Sequence, residues 1–410
     1  MVTSVISAGD AANLGVQTTG GNDGVLVLRS GAAGAKVDAV SIAASGTATF
    51  VGEVAGVSAI NSGQIGGRRN IVYNGEMKVA QRSASVAGLG AAGGYFTLDR
   101  WITDISTAGR FTMAQVADGP AGFANCLKLT TTTADTSIAA GEYFVLQQRF
   151  EGQDLQQLKK GTASAEQVTV SFYVKGNANA TYVCELAEFD NTRNITQSFA
   201  VTTSWNRIEL TFAADTTGAL DDDNAASLFF SIWLHAGATY TGGTFASNTW
   251  AGITNANRAA VDGFTSIFDS TSRTLFITGV QMEIGATATE FESRTYGEEL
   301  ALCQRYARVY GGTGANEYIS IGAASGTTTA NFVIPTISMR ATPTLTVSAV
   351  ANWQVGNAAS IACTGISLTN SSPHSINLDV TVASGLTTGH GLYMRAASTT
   401  AARLTLSAEL

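Results

Sequence analysis

Charge is what this chain has least of. Only 13% of its 410 residues are Asp, Glu, Lys or Arg, about half the usual fraction of a soluble globular protein. Its 23 basic residues are outnumbered by 31 acidic ones and no basic run exceeds two residues, as at Arg68-Arg69 and Lys159-Lys160. Nucleic-acid binders concentrate Lys and Arg on one face, so no nucleic-acid partner is expected. Long apolar runs are missing too: no stretch approaches the ~18 consecutive apolar residues of a membrane span, and no membrane insertion is expected. The opening residues, Met1 to Gly9, lack the basic start and apolar segment of a signal peptide.

Cysteine and histidine are equally sparse. Cys126, Cys184, Cys303 and Cys363 stand tens of residues apart, which excludes a CxxC metal pair and a disulfide-dense framework. With His235, His374 and His390 as the only histidines, there is little material for His-based catalysis, and each is read first as structural. No GxSxG elbow or Walker-type phosphate loop occurs. Disorder is disfavoured as well, because 45% hydrophobic residues and a net charge of −8 allow a packed core.

What the chain does have is alternation. Gln167–Val174, Thr181–Leu186, Asn206–Phe212, Ser227–Leu234 and Arg273–Val280 each place apolar side chains at period two, as half-buried strands require. The same pattern returns after Gly311-Gly-Thr-Gly314 in Tyr318–Ile321, Ala330–Ile334, Ile376–Val382 and Arg403–Leu406. Thr295–Tyr306 is the exception, a short helix predicted by its acidic first turn at Glu298 and Glu299. Residues 1–66, rich in Gly, Ala, Ser and Thr, hold apolar runs too short to close a core alone. Such a segment is stable when several copies of the chain wrap together.

Two strings, Arg69-Asn-Ile-Val-Tyr-Asn-Gly-Glu-Met-Lys-Val-Ala-Gln-Arg82 and Tyr95-Phe-Thr-Leu-Asp-Arg-Trp101, resemble the opening of a jelly-roll domain common in bacteriophage tail-fibre and other virion proteins. Ile277–Ala286, Thr289–Glu292 and Arg294–Tyr306 are similar to its closing strand, turn and helix. Leu146–Gly152 and Val170–Lys175 fall between them in the expected order. The resemblance covers roughly residues 68–310. It implies a fold like that of carbohydrate-binding modules, which does not by itself establish a sugar site. Residues 1–66 are also similar to short repeats at the attachment end of trimeric phage fibres.

The expected architecture is therefore all-β. It has a short N-terminal β stalk or attachment segment (1–66), a central antiparallel jelly-roll sandwich ending in a short helix (67–310) and a small C-terminal β-sandwich (311–410). The expected function is non-enzymatic: a phage tail-fibre subunit of the virion, a homotrimer, joined to other tail proteins through its N-terminus and binding host surface polysaccharide. The alternatives are a purely structural tail or capsid decoration protein and a polysaccharide-cleaving tailspike. Glycoside cleavage needs two carboxylates across one bond, whereas Glu185 and Glu188, three apart in an expected strand, point to opposite faces.

A sugar site combines an aromatic face with amides and carboxylates for the hydroxyls. Trp233, His235, Tyr240, Asn248 and Trp250 supply that mixture within one stretch, and Trp353 is a further candidate in the C-terminal part. Asp221, Asp222 and Asp223 form the densest acidic run, a candidate for Ca²⁺ weighed against a solvated turn, since the spacing of a dedicated calcium loop is absent. No other cofactor is expected.

Overall fold

The alternating segments are strands, and the protein is all-β. A computed structural model describes residues 68–334 and 336–410 throughout and, between residues 26 and 64, the backbone of short strands. The chain divides into a unit of residues 1–60 and another of residues 61–410. In the first, Leu26–Ser30, Val37–Ile42 and Ala48–Phe50 form a three-stranded antiparallel sheet. Apart from the two-residue strands Ala59–Ile60 and Gly63–Gln64, the rest of the expected attachment segment lies outside the described residues.

Residues 85–284 build two six-stranded sheets. The first runs Ala251–Gly252, Arg193–Val201, Ala180–Glu188, Ala226–Ala236, Tyr143–Glu151, Ile102–Ser106. The second runs Asn206–Phe212, Val168–Gly176, Thr274–Ile284, Cys126–Thr133, Arg110–Val116, Ser85–Leu89. Neighbouring strands are antiparallel in both. Their facing sides fill one core, where Phe111, Phe144, Phe150, Phe172, Phe212 and Phe230 are fully buried. Each such ring adds about 1.5–3 kcal/mol through burial. The predicted helix forms at Tyr296–Gln304, where Thr295 and Glu298 make a reciprocal capping box that satisfies its first amide groups.

Asn74 and Gly75 form a turn within the irregular backbone of residues 68–84. Asn74 adopts a left-handed conformation at φ 54°. Its amide donates to Val79 O (2.8 Å) and Asp99 O (3.0 Å) and accepts from Val79 N. Gly75 is required by close approach, since a Cβ there would stand 2.1 Å from the carbonyl oxygen of Val280.

In the C-terminal part, the two-layer packing expected for residues 311–410 takes the form of a closed barrel. Tyr318–Ala324, Thr329–Ile334, Ile376–Val382, Ser360–Leu368, Trp353–Gly356 and Gly391–Ala396 close in that order, the last pairing with the first. Alternation reports which side of a strand is buried; it does not report whether the outermost strands find each other. Closure removes two exposed edges. A three-stranded sheet, Ala307–Gly311, Arg403–Ser407 and Thr344–Val347, joins the barrel to the sandwich. Ala408 N donates to Tyr306 O at 2.7 Å, so the outgoing chain returns to where the incoming one left.

The Leu98-Asp-Arg-Trp101 string lies at this junction and all four residues are fully buried. Trp101 Nε1 donates to Asn74 O at 3.2 Å, and Asp99 accepts from Gln81 N at 3.0 Å. Arg100, at φ 71°, sends its guanidinium across the Tyr306 ring, 3.5 Å from its centroid, to pair with Glu409.

Candidate ligand-binding face

The outer face of the first sheet is ordered in rows by its register. Val145, Trp233 and Val183 stand side by side, then Gln147, Ser231 and Glu185, then Arg149, Phe229 and Ala187. All nine point away from the main core, because the intervening Leu146, Phe230, Ile232, Cys184 and Leu186 point into it.

The loop after Ala226–Ala236 folds over one end of this face. Trp233 lies on the outer side, yet only 1% of it is exposed: Tyr240 and Ala259 cover it, making a small second core with Val145 and Val183. Its Nε1 donates to Glu185 Oε2 at 2.8 Å. The same carboxylate receives both forks of Arg258 at 2.8 Å and the Asn194 amide at 2.7 Å. Arg258 also stacks 4.7 Å from the Trp233 ring centroid. A buried charge engaged this fully is an anchor for the covering loop.

The remaining sequence candidates scatter. His235 is fully buried and leaves the outer row. A bulge between Phe144 and Val145 shifts the register there, so His235 stands opposite the inward residue Phe144. Tyr240 is half-buried, with its ring 5.1 Å from Trp233 and 5.4 Å from Tyr143. Asn248 is exposed and accepts from Ala213 N at 2.9 Å. Trp250 is not a free platform: Lys160 Nζ sits 3.6 Å from its ring centroid and its Nε1 donates to Ala213 O. Trp353 is fully buried in the barrel core, where no ligand reaches it.

Asp221, Asp222 and Asp223 are exposed. Their run is held as a turn: Asp221 N donates to Asp190, Asp223 Oδ1 accepts from Ala225 N, and Asp223 O accepts from Gln153 N. Consecutive side chains diverge in such a turn. Among the described residues, the side chains that bring three candidate ligand atoms within 4.8 Å of one another are Asp135, Glu142 and His235.

Lys160 holds its place over Trp250 through Asp215, which also receives a bidentate pair from Arg193. Burial pushes the Asp215 carboxyl up, but these cationic donors outweigh it and hold it at about 2. A depressed carboxyl stabilises the fold above its unfolded value of 3.8 and loses that contribution as pH falls through about 2. Urea unfolding should therefore show a loss of about 2 kcal/mol across this window that Asp215→Asn lacks.

The sequence reading missed the half-exposed residues along the strip. Tyr143 donates to Asp104 Oδ1 at 2.9 Å, and Arg149 approaches Asp104 at 4.0 Å. Burial first, and then the Asp104 hydrogen bond, push the Tyr143 phenol up to about 12, so it remains a donor at neutral pH. Arg149 stacks 4.7 Å from the Phe229 centroid, and Phe229 meets Phe189, which is 43% exposed. Aromatic rings thus stand at both ends of a polar middle. Tyr143 to Arg149 spans roughly 20 Å at strand rise. Alternation in Tyr143–Glu151 carried the signal, but it cannot say which outer residues a distant loop will cover.

No protein-family model and no curated protein matches the sequence. Among solved structures, a CBM4 structure matches at 14% identity and TM-score 0.27, over 52% of this chain and 97% of that one. TmCBM61 in complex with β-1,4-galactotriose matches at 10% identity and TM-score 0.28, over 53% and 99%. The enzymatically active domain of bacteriophage CBA120 tailspike protein 4 matches at 11% identity and TM-score 0.27, over 52% of this chain and 21% of that one. Likenesses of this size assign no function to the chain.

Proposed function

We propose that this chain is a non-enzymatic tail-fibre subunit of a phage virion that binds host surface glycan along the outer face of its first sheet. The observation that carries the binding reading is the strip from Tyr240 and Tyr143 through Asp104 and Arg149 to Phe229 and Phe189. Pyranose rings present apolar faces to aromatic side chains and hydroxyls to carboxylates, amides and guanidinium groups. The strip offers both, on rigid strands, at a length suited to an oligosaccharide. The tail-fibre reading is supported by the string resemblance over residues 68–310. Attachment to other tail proteins through residues 1–66 and assembly as a homotrimer belong to the same proposal. Identical weak sites held together gain avidity without new contacts.

A second surface on the barrel favours the same activity at another place: Tyr318, 61% exposed, packs against Tyr393 at 5.1 Å with Arg395 beside both rings. Binding of host polysaccharide by the full chain tests both. Phe189→Ala should weaken binding roughly tenfold, about 1.4 kcal/mol, while Tyr318→Ala leaves it unchanged. The reverse pattern would move the site to the barrel. Absence of any affinity for host cells or their polysaccharide would sink the adhesin reading in favour of a scaffold, and release of reducing ends would favour a tailspike.

A further inference from the structure

The bulge that removes His235 from the outer row aims it at two carboxylates. His235, Asp135 and Glu142 each bring one ligand atom to within 4.8 Å of the others. His235 and Asp135 are buried and Glu142 is half-buried. Among the described residues, no Lys or Arg pairs with either carboxylate, and the ion-pair contact they make is His235 Nε2 to Asp135 Oδ2 at 3.9 Å. The nearby Arg110 is turned away, donating to the carbonyl oxygens of Thr107, Ala108 and Gly109.

The surroundings orient all three groups. Ala108 N donates to both Asp135 Oδ2 (3.2 Å) and Glu142 Oε1 (3.0 Å), and Ala139 N donates to Glu142 Oε2 (2.6 Å). Thr107 gives its hydroxyl proton to Asp135 Oδ2 at 2.8 Å and so has none for Nε2, 3.4 Å away. On the other side of the ring, Nδ1 meets Ser266 Oγ at 2.7 Å; with the proton on Nδ1, this is the outer hydrogen bond that orients a ligating imidazole and turns the Nε2 lone pair toward the carboxylates.

We infer that Asp135, Glu142 and His235 form a binding site for a divalent transition metal, with zinc the best-suited ion. One imidazole and two carboxylates match borderline metals, whereas calcium takes oxygen donors alone. Two ligands of a tetrahedral metal at about 2.1 Å stand roughly 3.4 Å apart. The 3.9 Å separation of His235 Nε2 and Asp135 Oδ2 is about 0.5 Å longer than that, and all three ligand atoms lie within 4.8 Å of one another. The site joins the turn after Ile102–Ser106, the loop before Tyr143–Glu151 and the end of Ala226–Ala236. Gly237 N donates to Glu142 O at 2.8 Å, so the loop carrying Tyr240 starts beside it. This inference does not depend on what the outer face binds.

The test is calorimetric titration of the chelator-treated full chain with zinc chloride, beside thermal unfolding with and without the metal and the absorption spectrum of the cobalt-substituted protein. One equivalent is expected to bind, to raise Tm and to give tetrahedral cobalt bands, while calcium at the same concentration does none of these. Glu142→Gln and His235→Gln should each weaken zinc binding at least tenfold. Glu142 is half-buried, so its variant keeps the test decisive should the histidine variant fail to fold. Zinc uptake undiminished by Glu142→Gln would overturn the assignment. So would no zinc uptake by the wild-type chain, which would reduce the cluster to a buried histidine–carboxylate contact.

Discussion

Glu409→Gln is expected to cost about 3–5 kcal/mol of stability, the range found when one partner of a buried ion pair is removed. Arg100 has no exposed surface, and its Nε already lacks a hydrogen-bond partner among the described residues. Its partners are the carbonyl oxygen of Arg149, the Tyr306 and Tyr73 rings and Glu409. Arg82, 3.0 Å from the same carboxylate, would lose one of its two counter-charges and keep only Asp99 at 3.9 Å. Gln is nearly isosteric, so the loss reports charge rather than shape. Urea unfolding at neutral pH measures it. A paired Arg100→Met, Glu409→Leu variant should recover most of the difference, because an apolar pair of similar volume avoids desolvating two ions. A cost below about 1 kcal/mol for Glu409→Gln would mean that the pair behaves like a surface contact.

Trp353→Ala should be as damaging, about 3–5 kcal/mol, since it empties the largest side chain in the barrel core. The ring edge also touches Gly311, whose added Cβ would lie 2.9 Å from it. Trp353 Nε1 has no acceptor among the described residues, so Trp353→Phe gives up volume without a hydrogen bond. It should cost about 1–2 kcal/mol. The difference between the denaturant midpoints of the two variants measures ring packing, since both lack the indole N–H. A Trp353→Phe loss above about 3 kcal/mol would show that the N–H makes a hydrogen bond.

The strands were legible because burial on one side writes itself into every second residue. Leu228, Phe230, Ile232 and Leu234 point inward as their alternation predicts, and Thr295 and Glu298 cap the helix that the acidic first turn foretold. What alternation omits is long-range. A one-residue bulge turned His235 away from Trp233 although the two are separated by a single position. Arg258 reaches Glu185 across 73 residues, and no local pattern encodes that pairing. The same holds for Trp233, which faces outward on its strand and is buried by a loop. Aromatic residues chosen by type were therefore mostly drawn into cores, while Tyr143, Asp104, Arg149 and Phe189, unremarkable in sequence, line the open strip.

The 2.7 Å bond between Ala408 N and Tyr306 O has an evolutionary consequence. Residues 307–407 leave the sandwich and rejoin it at one point, so the barrel is a cassette with adjacent ends. A different cassette whose ends lie equally close could be spliced there without moving a strand of the sandwich, provided Glu409 still follows to neutralise Arg100 and the cassette supplies donors where Arg340 meets Asn224 O and Arg403 meets the carbonyl oxygens of Gln81 and Arg82. Recombination between related chains would then exchange the barrel surface, Tyr318 and Tyr393 included, while the sandwich passes unchanged from one lineage to the next.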